Sequence, residues 1–66
     1  MNITVNGNSK SIQDISTISD LLTDLGLPPD TVVVELNTSI VTPDSYNKTE
    51  LAEDDRVEII RFVGGG

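Results

Sequence analysis

Residues 18–36 read ISDLLTDLGLPPDTVVVEL, and the apolar period changes halfway along them. In the first half Ile18, Leu21, Leu22 and Leu25 recur at i, i+3, i+4 and i+7, which places one apolar stripe on a helix. Thr17 is placed to cap its start. Asp20 can reach back to the cap and also suits the positive end of the helix dipole. Gly26 suits the left-handed position that ends a helix, and Pro28-Pro29 cannot continue one. From Thr31 the residues TVVVEL are β-branched and alternate: Val32, Val34 and Leu36 share one side, Val33 and Glu35 the other. A helix of two to three turns is not stable alone, so it must lie against a sheet.

Outward from this segment the pattern is one of strands. Ile3 and Val5 alternate with Asn2, Thr4 and Asn6, and Asn6-Gly7 supplies the residues that accept positive φ in a hairpin turn. A returning strand is expected over about Lys10 to Asp14, with Ile12 facing in. Beyond Asn37-Thr38-Ser39 a short strand, Ile40-Val41, precedes a polar connection anchored by Tyr46, Leu51 and Ala52. RVEIIRF, residues 56–62, closes the set, with Val57, Ile59 and Arg61 on one face and Arg56, Glu58, Ile60 and Phe62 on the other. The expected class is α+β: a mixed sheet of four to five strands, with one helix packed on one face.

Composition narrows the function. Sixty-six residues hold one domain with a small aliphatic core, because the apolar 36% is mostly Ile, Val and Leu and includes one Phe, one Tyr and no Trp. Cys and His are both absent, which removes disulfides, thiolate nucleophiles, the usual zinc ligands and the usual neutral-pH general base. Self-contained catalysis is therefore not expected. Eleven acids against four bases leave a net charge of −7, so no nucleic-acid partner is expected and a basic protein surface is the natural complement. No basic start leads into a long apolar run, and no stretch approaches the ~20 apolar residues that span a bilayer. A cytoplasmic protein, free of membrane and monomeric when unbound, is the expectation. Glu53-Asp54-Asp55 lacks the alternating spacing of a calcium loop and reads as a solvated turn; no metal site is expected.

The chain ends RFVGGG. With the opening MNITVNG, the helix ISDLLTDLG, the strand pair VVVELNTSIV and the close EDDRVEIIRFVGGG, it resembles the β-grasp fold of ubiquitin-like proteins. Within that fold it resembles the ThiS family, the small sulfur carriers of thiamin biosynthesis. The resemblance covers the whole chain, and its most specific part is Gly65-Gly66 at the last positions, directly after a strand. It implies a β-grasp domain over residues 1–63 and a flexible tail, Gly64-Gly65-Gly66, with Gly64 as added linker length.

The same resemblance implies the chemistry. A C-terminal carboxyl has an ordinary pKa of about 3.3–3.7, so Gly66 ends in a carboxylate that resists nucleophiles. In the family an adenylating enzyme joins this carboxylate to AMP from ATP, and sulfur from a persulfide donor displaces the AMP. The thiocarboxylate formed on Gly66 then serves a thiazole synthase. The carrier itself binds no cofactor; ATP belongs to the activating partner. An extended three-residue tail reaches ~10 Å beyond Val63, and without Cβ atoms Gly64 and Gly65 can enter a narrow active site. Phe62, Ile60, Val33 and Val63 are the expected partner-binding face, with acidic groups around it steering a basic partner.

Two other functions share this ending. The small subunit of molybdopterin synthase has the same fold and terminus and is usually longer, and a ubiquitin-like modifier would join Gly66 to a lysine through the same acyl adenylate. A plain reading of the glycines is an expression linker, and a plain reading of Phe62 is an aromatic that merely covers the sheet.

Overall fold

The computed structural model describes residues 1–62. Val63, Gly64, Gly65 and Gly66, and with them the boundary expected between domain and tail, lie outside the described residues. The strands are β1 (Asn2–Val5), β2 (Asn8–Ser11), β3 (Val32–Leu36), β4 (Ser39–Val41) and β5 (Arg56–Arg61), and helix α1 (Ile18–Leu25) links β2 to β3. They form a five-stranded sheet in the order β2-β1-β5-β3-β4. The first and last strands, β1 and β5, run parallel at its centre, and every other pairing is antiparallel. The expected mixed sheet is present, with five strands.

Helix α1 has the ends its residues imply. Thr17 is extended at φ −122°, its side chain accepts the Asp20 N–H at 3.1 Å, and the Asp20 carboxylate accepts the N–H groups of Thr17 at 3.2 Å and Ser16 at 3.0 Å. Those backbone bonds, Ser16 first, hold the Asp20 carboxyl below the usual carboxylate range. At the other end Gly26 is left-handed at φ 71° and donates to the carbonyls of Leu22 and Thr23.

The strand ends differ from expectation in two places. Asn6 and Gly7, at φ 49° and 82°, make a two-residue turn that sets Asn8 opposite Val5. The returning strand therefore begins at Asn8 and ends at Ser11; it does not run from Lys10 to Asp14, and Asp14 is itself left-handed at φ 59°. Ile12 just beyond the strand is buried as expected. Likewise Asn37 and Thr38 turn at φ 50° and 76°, so β4 starts one residue before Ile40. Ala52 is exposed and anchors nothing: its N–H and carbonyl both bond to Asp55 in a turn, while Tyr46 and Leu51 are buried. In that same turn Asp55 also accepts the Asn37 amide at 2.9 Å, and Glu53 accepts the Asn2 N–H at 3.1 Å. Among the described residues no metal-holding cluster is found there or elsewhere.

One core joins helix and sheet. Ile18, Leu21 and Leu22 of α1 pack with Ile3, Val32, Val34, Val57 and Ile59, all on one face of the sheet, and with Ile12, Tyr46 and Leu51 from the connections. Cross-strand register explains the sharing: Val34 lies opposite Ile59 and Leu36 opposite Val57, so their side chains emerge on the same side. No helix among the described residues is long and apolar enough to cross a membrane.

Candidate functional site

The helix covers one face of the sheet and leaves the other open. Alternation along β5 puts Val57 and Ile59 in the core, and turns Glu58 and Ile60 outward. Ile60 lies directly opposite Val33 of β3, and Glu58 opposite Glu35. Ile60 is 55% exposed and Phe62 is 59% exposed, while Val33 is half-buried. The structure thus brings three of the expected face residues, Phe62, Ile60 and Val33, to the end of the last strand; the fourth, Val63, lies outside the described residues, as do Gly64, Gly65 and Gly66.

Ile40 belongs to the same surface and was not singled out from the sequence. It stands opposite Glu35 on the edge strand, diagonal to Val33, and at 68% it is the most exposed of the large apolar residues. The signal was available: a two-residue turn after Leu36 pairs 35 with 40, which places Ile40 on the face of Val33 and Glu35. The outer face is therefore apolar around Ile40, Val33, Ile60 and Phe62, with the carboxylates of Glu35 and Glu58 beside them. Like charges directly opposite across two strands cost stability in a free domain.

The strand that carries this face is held on both sides almost to its end. On the β3 side pairing runs through Arg61, opposite Val32, and the Phe62 N–H donates to the Thr31 carbonyl at 2.9 Å. On the β1 side the pairing of residues stops at Val5 with Val57. There a side chain takes over from the strand. Asn6 Oδ1 accepts the Ile59 N–H at 2.7 Å and Asn6 Nδ2 donates to the Ile59 carbonyl at 3.2 Å. The sequence identified Asn6 only as a turn residue; its second role depends on a strand 53 positions away. Asn6→Ala removes both bonds and puts a residue less tolerant of positive φ at the turn, so a loss of about 1–3 kcal/mol is expected by chemical denaturation. Amide exchange at Ile59 should accelerate; an unchanged denaturation midpoint and unchanged Ile59 exchange would show that the amide clip is unimportant.

Below Asn6, on the helix side of the sheet, lies a cleft of about 320 Å³ lined by Val5, Asn6, Asn8, Leu25, Leu27, Ile59 and Arg61. Nothing in its lining resembles a catalytic pair, because it holds no acid, thiol or imidazole. A second hollow, lined by Asn37, Thr38, Asp54 and Arg56, lies by the β3–β4 turn, next to the start of β5. Burial raises the Tyr46 hydroxyl above the usual phenol range and keeps it neutral within the core.

A five-stranded mixed sheet with one helix across one face, and an apolar opposite face at the end of the last strand, is the architecture of a ubiquitin-like β-grasp domain. A profile of the ThiS family matches residues 3–66. The chain is 40% identical over 62 residues to the sulfur carrier protein ThiS of Bacillus subtilis, covering 89% of this chain and 94% of that one. A ThiS thiamine biosynthesis protein from Geobacter metallireducens superposes with a TM-score of 0.83 at 32% identity, over 100% of both chains. The thiazole synthase of Magnetococcus marinus is 38% identical over all 66 residues, which span 20% of that longer protein. This chain belongs to the ThiS family, the sulfur carrier proteins of thiamin biosynthesis.

Proposed function

We propose that this chain carries sulfur as a thiocarboxylate on Gly66, formed after a partner enzyme adenylates the Gly66 carboxylate with ATP, and that a thiazole synthase is the acceptor. The observation that carries this reading is the family match, which runs through Gly66, in a sequence that holds neither cysteine nor histidine. The link to thiazole synthase is supported by two proteins of that name, from Magnetococcus marinus and Paramagnetospirillum magneticum, that each contain a region matching this entire chain. An adenylating enzyme and a persulfide donor are the partners that the family implies: a carboxylate needs a leaving group before a sulfur nucleophile can replace it, and AMP from ATP is one. A second thiol then cleaves the acyl disulfide left by persulfide attack, giving the thiocarboxylate and a disulfide on the donor side.

In this reading Gly64 and Gly65 pass through the partner's channel and the outer sheet face docks against its rim. Ordering a glycine segment on docking costs entropy, and burial of Ile60, Phe62, Val33 and Ile40 offsets that cost. The test is intact mass after incubation with the adenylating enzyme and the thiazole synthase encoded in the same genome, ATP and a sulfur donor. Exchange of one oxygen for sulfur at the terminus is expected. Lysine-linked conjugates without that exchange would replace the carrier by a protein modifier.

Phe62→Ala separates docking from folding. Phe62 is 59% exposed and outside the core, so its truncation should weaken binding to the thiazole synthase by about 1–3 kcal/mol while lowering stability by less than about 0.5 kcal/mol. Paired titration calorimetry and thermal unfolding check this; the reverse ordering of the two effects would make Phe62 a structural residue.

A further inference from the structure

The cleft under Asn6, at the end of the last strand, is not used by the carrier reading. Its walls are aliphatic: Val5 and Ile59 come from the sheet, Leu25 and Leu27 from the end of α1 and the residues just after it. Its polar groups are Asn6, Asn8 and Arg61, with no carboxylate among them, on a molecule with eleven acids and four bases. The Asn6 amide is occupied by the backbone of Ile59. Arg61 is exposed, and among the described residues the one ion pair is Lys10 with Asp24 at 3.5 Å. The guanidinium therefore faces an aliphatic hollow without a carboxylate partner from the described part of its own chain. Arg61 immediately precedes Phe62, and its side chain leaves β5 on the face opposite Phe62 and Ile60.

We infer that this cleft is a second docking point, on the helix side of the tail's root, and that it receives an acidic side chain carried on an apolar segment of the thiazole synthase. The inference rests on the carrier reading, since it needs an enzyme that surrounds the root of the tail. Charge complementarity selects the occupant. The outer face, where Glu35 and Glu58 outnumber Arg56, favours a cation, whereas the cleft, with Arg61 and no acid, calls for an anion. A guanidinium beside aliphatic walls binds a carboxylate more strongly than one in open water, because the walls exclude solvent from the pair. At about 320 Å³ the cleft accommodates side chains and not a helix. Two contacts of opposite sign on opposite sides of the sheet also fix how the whole domain sits on the enzyme, which a single apolar face leaves free to turn.

The test uses the full chain, isotopically labelled, titrated with the thiazole synthase encoded in the same genome. Binding should shift the side-chain amide signals of Asn6 and Asn8, the backbone amide of Leu27 and the Arg61 Nε signal, in addition to signals from the outer face. Arg61→Glu should weaken binding by about tenfold or more, with the effect shrinking at high salt, and Arg61→Lys should retain most of the affinity. Exposure of Arg61 keeps the unfolding midpoint of both variants near that of the parent chain, so a loss of binding is read apart from a loss of fold. Unchanged affinity of Arg61→Glu and silent cleft signals, with Phe62→Ala still weakening binding, overturn the second docking point and leave the carrier reading standing. A parent chain that neither binds the synthase nor gains sulfur overturns the carrier reading, and the second docking point with it.

Discussion

A chain shortened by Gly65 and Gly66 is expected to keep its fold and to lose sulfur loading entirely. The contacts that hold the described fold end at the Phe62 N–H, which donates to Thr31, and every member of the core lies between Ile3 and Ile59. The melting temperature should therefore stay within about 1–2 °C of the full chain. Loading should fall to the detection limit, because the new terminal carboxylate on Gly64 stops about 7 Å short of the old one at 3.3–3.6 Å per residue. A reacting carbon must come within about 3–3.5 Å of its nucleophile, so the shortfall is not a matter of slower turnover. Intact mass after incubation with ATP, sulfur donor and activating enzyme reads the result. Undiminished loading of the shortened chain would move the chemistry away from the terminus and defeat both the carrier and the modifier readings; the sheet face would then be the whole of the function.

Leu21→Ala should have the largest effect on stability. Leu21 is 0% exposed, midway along the helix stripe, and belongs to the core that joins helix and sheet. Truncation of a buried leucine costs about 2–5 kcal/mol, lost transfer energy together with the cavity left behind. A domain of this length has roughly 3–10 kcal/mol in total at 0.05–0.15 kcal/mol per residue, so one substitution removes a large share. The expected fall in melting temperature is about 8–40 °C, at 4–8 °C per kcal/mol. Leu27→Ala, at a half-buried site on the wall of the cleft, should lower it by less than half as much. Equal effects from the two would mean that the helix is held at its end and not along its stripe.

Much of this could be read from local pattern, and the places where it could not are informative. Helix α1 was legible to the residue because its period, its Thr17–Asp20 capping box and its Gly26 stop all lie within ten positions and agree with one another. The alternation of β3 and β5 was legible for the same reason. The ends of β2 and β4 were not, since a strand's limits are set by the partner it pairs with. Once Asn6-Gly7 closes in two residues, Asn8 must stand opposite Val5 and the strand begins there. Ala52 was misjudged because a small apolar side chain is as compatible with a solvated turn as with a core.

The sequence by itself determined the class of the fold, the faces of β1, β3, β5 and helix α1 that turn inward, and the family. These are properties of period, composition and end residues, and they survive without knowledge of which strands touch. Only the tertiary structure decided that β1 and β5 pair in parallel at the centre, that Ile40 joins Val33, Ile60 and Phe62 on one surface, and that Asn6 grips Ile59 across 53 positions. It also set Arg61 over an aliphatic cleft on the other side of the same strand. The reason is physical: alternation says which side of a strand a residue takes, but neighbours across a sheet are chosen by pairing and register, and those are settled when the whole core closes.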